Sequence, residues 1–131
     1  VACDARLEDV MRALMEGCCF LMRHRIERVA ELTGRELGRI VMVGGPTKSP
    51  LWPQILADIL GHPLTIPETG SHAGAMGAAI LAGMSVGIYR DEREGFAATR
   101  AQERVVAPDS AARSMYEQSY RRFLRRFEPD D

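Results

Sequence analysis

Apolar residues at Leu7, Val10, Met11, Leu14, Cys18, Leu21, Met22, Ile26, Val29 and Leu32 recur at helical spacing, with Glu8, Arg12, Glu16, Arg23 and Glu27 largely between them. The pattern predicts one long helix from about Leu7 to Thr33, stopped by Gly34. Gly17 within it costs about 1 kcal/mol against alanine, so a closely packed neighbour is expected there. The period then changes. Arg39 to Val43 lacks polar alternation, which predicts a strand covered on both faces, as parallel strands are. Helical spacing returns with Ile55, Leu56, Ile59 and Leu60. Ser49 suits the N-cap of that helix and Pro50 its first position. Pro53 still falls in the first turn, and Gly61 is the stop.

Leu64-Thr65-Ile66 alternates, which predicts a short edge strand ended by Pro67. Ser71 to about Val86 predicts a helix rich in small residues, among them Gly74, Gly77 and Gly83, a composition that lets another backbone approach closely. Asp91 to Thr99 is a weaker helical segment, and Val105-Val106-Ala107-Pro108 is extended. Asp109 or Ser110 then caps a last helix to about Phe127, with Met115, Tyr116, Tyr120, Phe123, Leu124 and Phe127 as its apolar face. The result is a helix-rich α/β chain with one or two strands. A strand covered on both faces needs strand neighbours, and too few are present. The chain therefore reads as part of a larger sheet domain, and a helical pattern beginning almost at Val1 points the same way.

Composition narrows this picture. The chain has 131 residues, 46% of them hydrophobic, enough for one domain with a core. A net charge of −1 offers no electrostatic case for nucleic acid or an acidic membrane. Arg121, Arg122, Arg125 and Arg126 sit on the last amphipathic helix and read as a solvated face. Three cysteines, two of them adjacent, show no metal spacing, so buried free thiols and a reducing, cytoplasmic compartment are expected. The longest charge-free apolar run, Ala73 to Ile88, is too short and too glycine-rich to span a membrane, and no signal peptide opens the chain.

The candidate chemistry lies where the strand at Ile40–Val43 runs through Gly44-Gly45-Pro46-Thr47-Lys48 into the helix begun by Ser49-Pro50. A strand leading through glycines to a helix N-terminus presents backbone N–H groups to an anion such as a nucleotide phosphate. The pattern is neither GxxxxGK[ST] nor GxGxxG, and glycines at a strand-to-helix turn also serve purely conformational needs. Lys48 reads equally as a phosphate contact or a solvated loop lysine, Trp52 as packing beneath the turn, and His72 as a surface or capping histidine. Nothing in the sequence gives Asp58 a catalytic role.

The longer string Gly44-Gly45-Pro46-Thr47-Lys48-Ser49-Pro50-Leu51-Trp52-Pro53-Gln54-Ile55-Leu56-Ala57-Asp58-Ile59-Leu60 resembles the adenine-side signature of the FGGY carbohydrate kinases, with xylulokinase-like members nearest in pattern. Ala75-Met76-Gly77-Ala78-Ala79-Ile80-Leu81-Ala82 is similar to a second motif of that family, in the right order. The resemblance implies a fragment of an actin-like (ribonuclease H-like) ATPase domain. Residues 1–131 would be the C-terminal portion of the second, nucleotide-binding domain, without the N-terminal domain. It implies an ATP- and Mg²⁺-dependent kinase that moves the γ-phosphoryl group to a sugar or polyol hydroxyl. It also implies nucleotide-binding roles for Gly44, Gly45, Pro46, Lys48 and Ser49. Pro46 departs from the family by removing an N–H, and Ser49 has a shorter reach than the asparagine of glycerol-kinase-like members. The family's catalytic base and sugar contacts would lie outside this chain, so no catalytic residue and no metal ligand is assigned here and the chain alone is expected to be inactive. A pentulose such as xylulose is the favoured substrate, with glycerol, ribulose or a tetritol as rivals. Implied partners are ATP, a sugar and optionally a second copy in a homodimer. The alternative is a non-catalytic actin-like nucleotide-binding or scaffold protein.

Overall fold

The computed structural model describes residues 4–99 and 102–127. Helix α1 spans Leu7–Thr33, as the periodicity predicts, and Gly34 ends it in the left-handed conformation with φ 62°. Strand β1 follows at Ile40–Val41, then a 3-10 turn at Gly45–Lys48 and helix α2 at Leu51–Leu60. Strand β2 covers Leu64–Pro67, a second 3-10 turn Glu68–His72 and helix α3 Ala73–Ser85. Helix α4 is Glu92–Ala98, strand β3 Glu103–Val106 and helix α5 Arg113–Phe127. The extended segment expected at Val105 is thus part of the third strand.

The sheet order is β1-β2-β3, with β1 parallel and β3 antiparallel to β2. β2 is therefore the central strand, not the edge that its alternation suggests. Leu64 and Ile66 point into the core, and the half-buried Thr65 and Pro67 lie under the opposite face. Alternation here reports one covered face, and edge position does not follow from it. β1 is shorter than the Arg39–Val43 run and is covered on one face only. Met42 is buried, whereas Val41 and Val43 remain 46% and 49% exposed. They look into a groove of about 650 Å³ between the sheet and the α3–α4 pair.

The core lies between the other sheet face and α1, α2 and α5. Cys19 and Phe20 of α1 pack with Ile55, Leu56 and Ile59 of α2, Leu64 and Ile66 of β2, and Tyr116 and Tyr120 of α5. The wider apolar stripe of α1 faces outward: Leu14 is 61% exposed and Leu32 78%. Cys18 shares that outward side and is exposed, contrary to the expectation that it is buried, while Cys19 is fully covered. Gly17, Gly74 and Gly77 have no neighbour within 4 Å of an added Cβ, so the close contacts expected there are not made among the described residues. Close contact does occur lower on α3, where a Cβ on Gly83 would lie 2.7 Å from the Tyr89 ring and one on Gly95 of α4 would collide with Ile80.

Candidate functional site

The Gly44–Ser49 turn is built from its own hydrogen bonds. Gly44 adopts φ 96°, a left-handed value that disfavours any side chain. Its N–H donates to the Gly70 carbonyl at 2.8 Å, which ties the turn to the segment leading into α3. Its carbonyl accepts from Thr47 N–H at 3.1 Å and from Thr47 Oγ1 at 2.7 Å. Gly45 does not share the positive φ, and a Cβ added there meets nothing within 4 Å. Its N–H has no protein partner among the described residues. Pro46 sits early in the 3-10 turn, where an N–H would have had no partner within the turn. Lys48 is exposed and makes no ion pair among the described residues.

α2 starts one residue later than expected, so Ser49, expected at the N-cap, caps the helix from the residue before it. Its Oγ accepts from Leu51 N–H and Trp52 N–H, both at 3.3 Å, and Pro50 occupies the N-cap. This changes the chemistry of the turn. The first free N–H groups of α2 are already satisfied by a side chain, and Pro53 removes another, so the helix end offers an anion little. What the turn presents outward is Gly45 N–H, the space above its Cα and the Lys48 ammonium. The Ser49 hydroxyl hydrogen is not used by its capping role.

The remaining singled-out residues fall into structural places. Trp52 is half-buried against the core beside the Cys19 sulfur, and its Nε1–H has no well-formed hydrogen bond among the described residues. Burial pushes the Cys19 thiol up to about 12, so it is inert at neutral pH. His72 is exposed at the start of α3 and makes no capping bond. Asp58 is buried, and its Oδ1 accepts from Asp109 N–H at 2.7 Å and from Gln54 Nε2 at 2.8 Å. Gln54 also donates to the Ala107 carbonyl at 3.0 Å. The Gln–Asp spacing thus fastens α2 to the loop between β3 and α5, a role legible only once that loop is in place. Sequence reasoning missed Gly70 and Arg104, which grip the turn from either side. A glycine ahead of α3 gave a faint signal for the first, and nothing in the sequence marked the second.

Residues 3–86 match the FGGY family of carbohydrate kinases, C-terminal domain. The chain belongs to this family. The autoinducer-2 kinase of Yersinia pestis strain Pestoides F is 34% identical over 109 residues, which are 82% of this chain and 20% of that kinase. The chain therefore spans about a fifth of the length of this curated relative. Among solved structures, a xylulose kinase from Rhodospirillum rubrum superposes with TM-score 0.68 at 26% identity, over 97% of this chain and 27% of that one. A xyloylose kinase from Brucella ovis gives TM-score 0.75 at 27% identity, over 98% of this chain and 26% of that one. Plasmodium falciparum glycerol kinase with ADP, at 21% identity and TM-score 0.70, supports the fold alone. The architecture is accordingly that of one part of an FGGY sugar kinase, with the actin-like ATPase fold. No helix among the described residues is long and apolar enough to cross a membrane.

Proposed function

We propose that this chain forms the adenosine-side wall of the ATP cleft in a sugar kinase. It would be the C-terminal portion of the second domain, with Gly44, Gly45, Pro46, Lys48 and Ser49 lining the nucleotide. The observation that carries this reading is Gly45. It needs no positive φ, a Cβ added there would meet nothing among the described residues, and it sits in a turn held on both sides. A side chain is missing where only a ligand would meet it, and an unpartnered N–H points out beside it. Both features fit a phosphate or ribose close to the backbone.

Lys48 extends a mobile cation toward the phosphates, and the Ser49 hydroxyl donates to the adenosine moiety. Pro46 keeps the turn stiff at the cost of one donor. When bound, ATP supplies the γ-phosphoryl group for transfer to a sugar or polyol hydroxyl. Catalysis of such transfer is mainly positioning and electrostatic stabilisation. The described residues contain no cluster of three His, Cys, Asp or Glu side chains for a metal. Mg²⁺ would be held by the phosphates and by groups elsewhere in the full polypeptide. The likeness to xylulose kinase structures supports a pentulose such as xylulose as acceptor, and the absence of metal-type or paired cysteine spacing in the sequence supports a reducing cytoplasm as the compartment.

The experiment is a sugar panel with ATP, run on the full-length polypeptide and on the 131-residue chain. The full polypeptide should phosphorylate at least one pentulose or polyol, and the chain alone none. ATP-dependent product from the chain alone would overturn the placement of base and sugar site outside it. A full polypeptide inert toward every acceptor yet binding ATP would favour the non-catalytic alternative.

A further inference from the structure

The family match ends at residue 86, and the strand that braces the glycine turn lies beyond it. Thr47 lies within the 3-10 turn, and a local helical donor for its carbonyl would come from three or four residues ahead. Three ahead stands Pro50, which has no N–H. Four ahead stands Leu51, whose N–H is given to Ser49 Oγ at 3.3 Å. The donor that reaches the carbonyl is Arg104 Nη2 on β3, at 3.3 Å. Thr47 itself is buried and bonds the Gly44 carbonyl through both its N–H and its Oγ1. A chain of hydrogen bonds therefore runs from the Arg104 guanidinium through Thr47 to the glycine whose φ of 96° sets the direction of Gly45. Two residues earlier, the Gln102 carbonyl accepts Glu68 N–H at 2.9 Å and fastens the second 3-10 turn as well.

We propose that Arg104 is a positioning residue for the nucleotide turn: it satisfies the Thr47 carbonyl that Pro50 leaves without a donor and so fixes the orientation of Gly44–Gly45. The inference rests on the nucleotide role of that turn. Its effect falls on ATP and not on the sugar, because the bond ends at the turn. The side chain of the neighbouring Glu103 accepts from Arg39 Nη2 at 2.5 Å, its one side-chain bond among the described residues, and does not touch the turn.

The test measures KM for ATP, KM for sugar and kcat in the full-length kinase. Arg104→Met, which keeps the apolar stem and removes the donors, should raise the ATP KM about three- to tenfold and leave sugar KM within twofold, the scale of one charge-assisted hydrogen bond at a partly solvated site. Arg104→Lys should recover most of the loss. Glu103→Gln should leave the ATP KM unchanged. If Arg104→Met does not fold, Arg104→Gln, too short to reach the carbonyl, takes its place with the same two outcomes. An unchanged ATP KM, in an enzyme where Gly45→Val raises it, overturns the role of Arg104 and leaves the reading of the turn intact. A rise of equal size in Glu103→Gln also overturns it, since any loosening of β3 would then suffice. If Gly45→Val too has no effect on ATP, the nucleotide reading falls and this inference with it.

Discussion

Gly44 needs glycine for its own backbone, whereas Gly45 does not. Alanine at 44 has to adopt φ near 96° and should cost about 1–2 kcal/mol of stability. Alanine at 45 enters open space and should change stability by less than about 0.5 kcal/mol. Denaturant unfolding of the two variants separates these roles; equal losses would contradict the assignment. The cysteines make a second residue-scale contrast. Cys18 is exposed and Cys19 is buried with its thiol raised to about 12, so a maleimide should label Cys18 quickly and Cys19 only on unfolding. Mass mapping of the labelled peptides decides the point. The sequence shows both cysteines on an apolar helix but not which side of it is covered, because the core uses the Cys19–Phe20–His24 side and leaves the richer apolar stripe outside. The glycine pair was legible as a turn. That only the first of the two needs glycine for its own backbone was not, since that division depends on φ and on neighbours distant in sequence.

The α1–α5 pair is joined along its length by a mixed ionic and aromatic seam. Arg23 bridges Glu27 at 2.7 Å and Glu117 at 2.9 Å, lies 4.0 Å from the Tyr120 ring centroid, and donates to the Ile59 carbonyl at 3.1 Å. The bond from Arg23 holds the Glu117 carboxyl below its usual range. A lowered acid contributes stability above its unfolded value, roughly pH 4.3, and loses it as pH falls through the lower folded value. Thermal midpoints measured between pH 7 and 3 should therefore drop, and Glu117→Gln should flatten part of that acid limb. A mutant curve parallel to wild type would contradict the coupling. Burial, followed by the bond to Glu27, raises the Tyr120 hydroxyl, so it stays neutral and donating through the physiological range. In the α2–β3 connection, Asp58→Ala should cost about 1–3 kcal/mol by stranding Asp109 N–H, with ATP affinity of the full kinase little changed. The ends of α1 and α2 were legible because left-handed glycine stops are local, whereas α5 begins at Arg113, later than a cap at Asp109 or Ser110 predicts. Strand order was not, because β2 becomes central only by pairing with β3, across a separation that no local pattern encodes.

At the scale of the molecule, part of one sheet face and the long stripe of α1 lack cover among the described residues. β1 has β2 on one side and no strand on its other side among the described residues, and the exposed Val41 and Val43 share a cleft with the exposed Leu21 and Met22. Apolar faces and unpaired strand edges of this kind drive association. The 131-residue chain should therefore self-associate or unfold with low cooperativity. Light scattering across a concentration series checks this, and a monodisperse, cooperatively unfolding monomer would show a self-sufficient domain instead. The central claim is that the rigid glycine turn is a wall of the ATP cleft, and calorimetric titration of the full-length kinase with ATP tests it most directly in Gly45→Val. The side chain would enter space that is empty in the protein and, on this account, filled by the nucleotide, displacing at least one charge-assisted contact. ATP affinity should fall roughly ten- to a hundredfold while the sugar constant and thermal midpoint stay near wild type. An unchanged ATP constant in folded Gly45→Val would contradict the account.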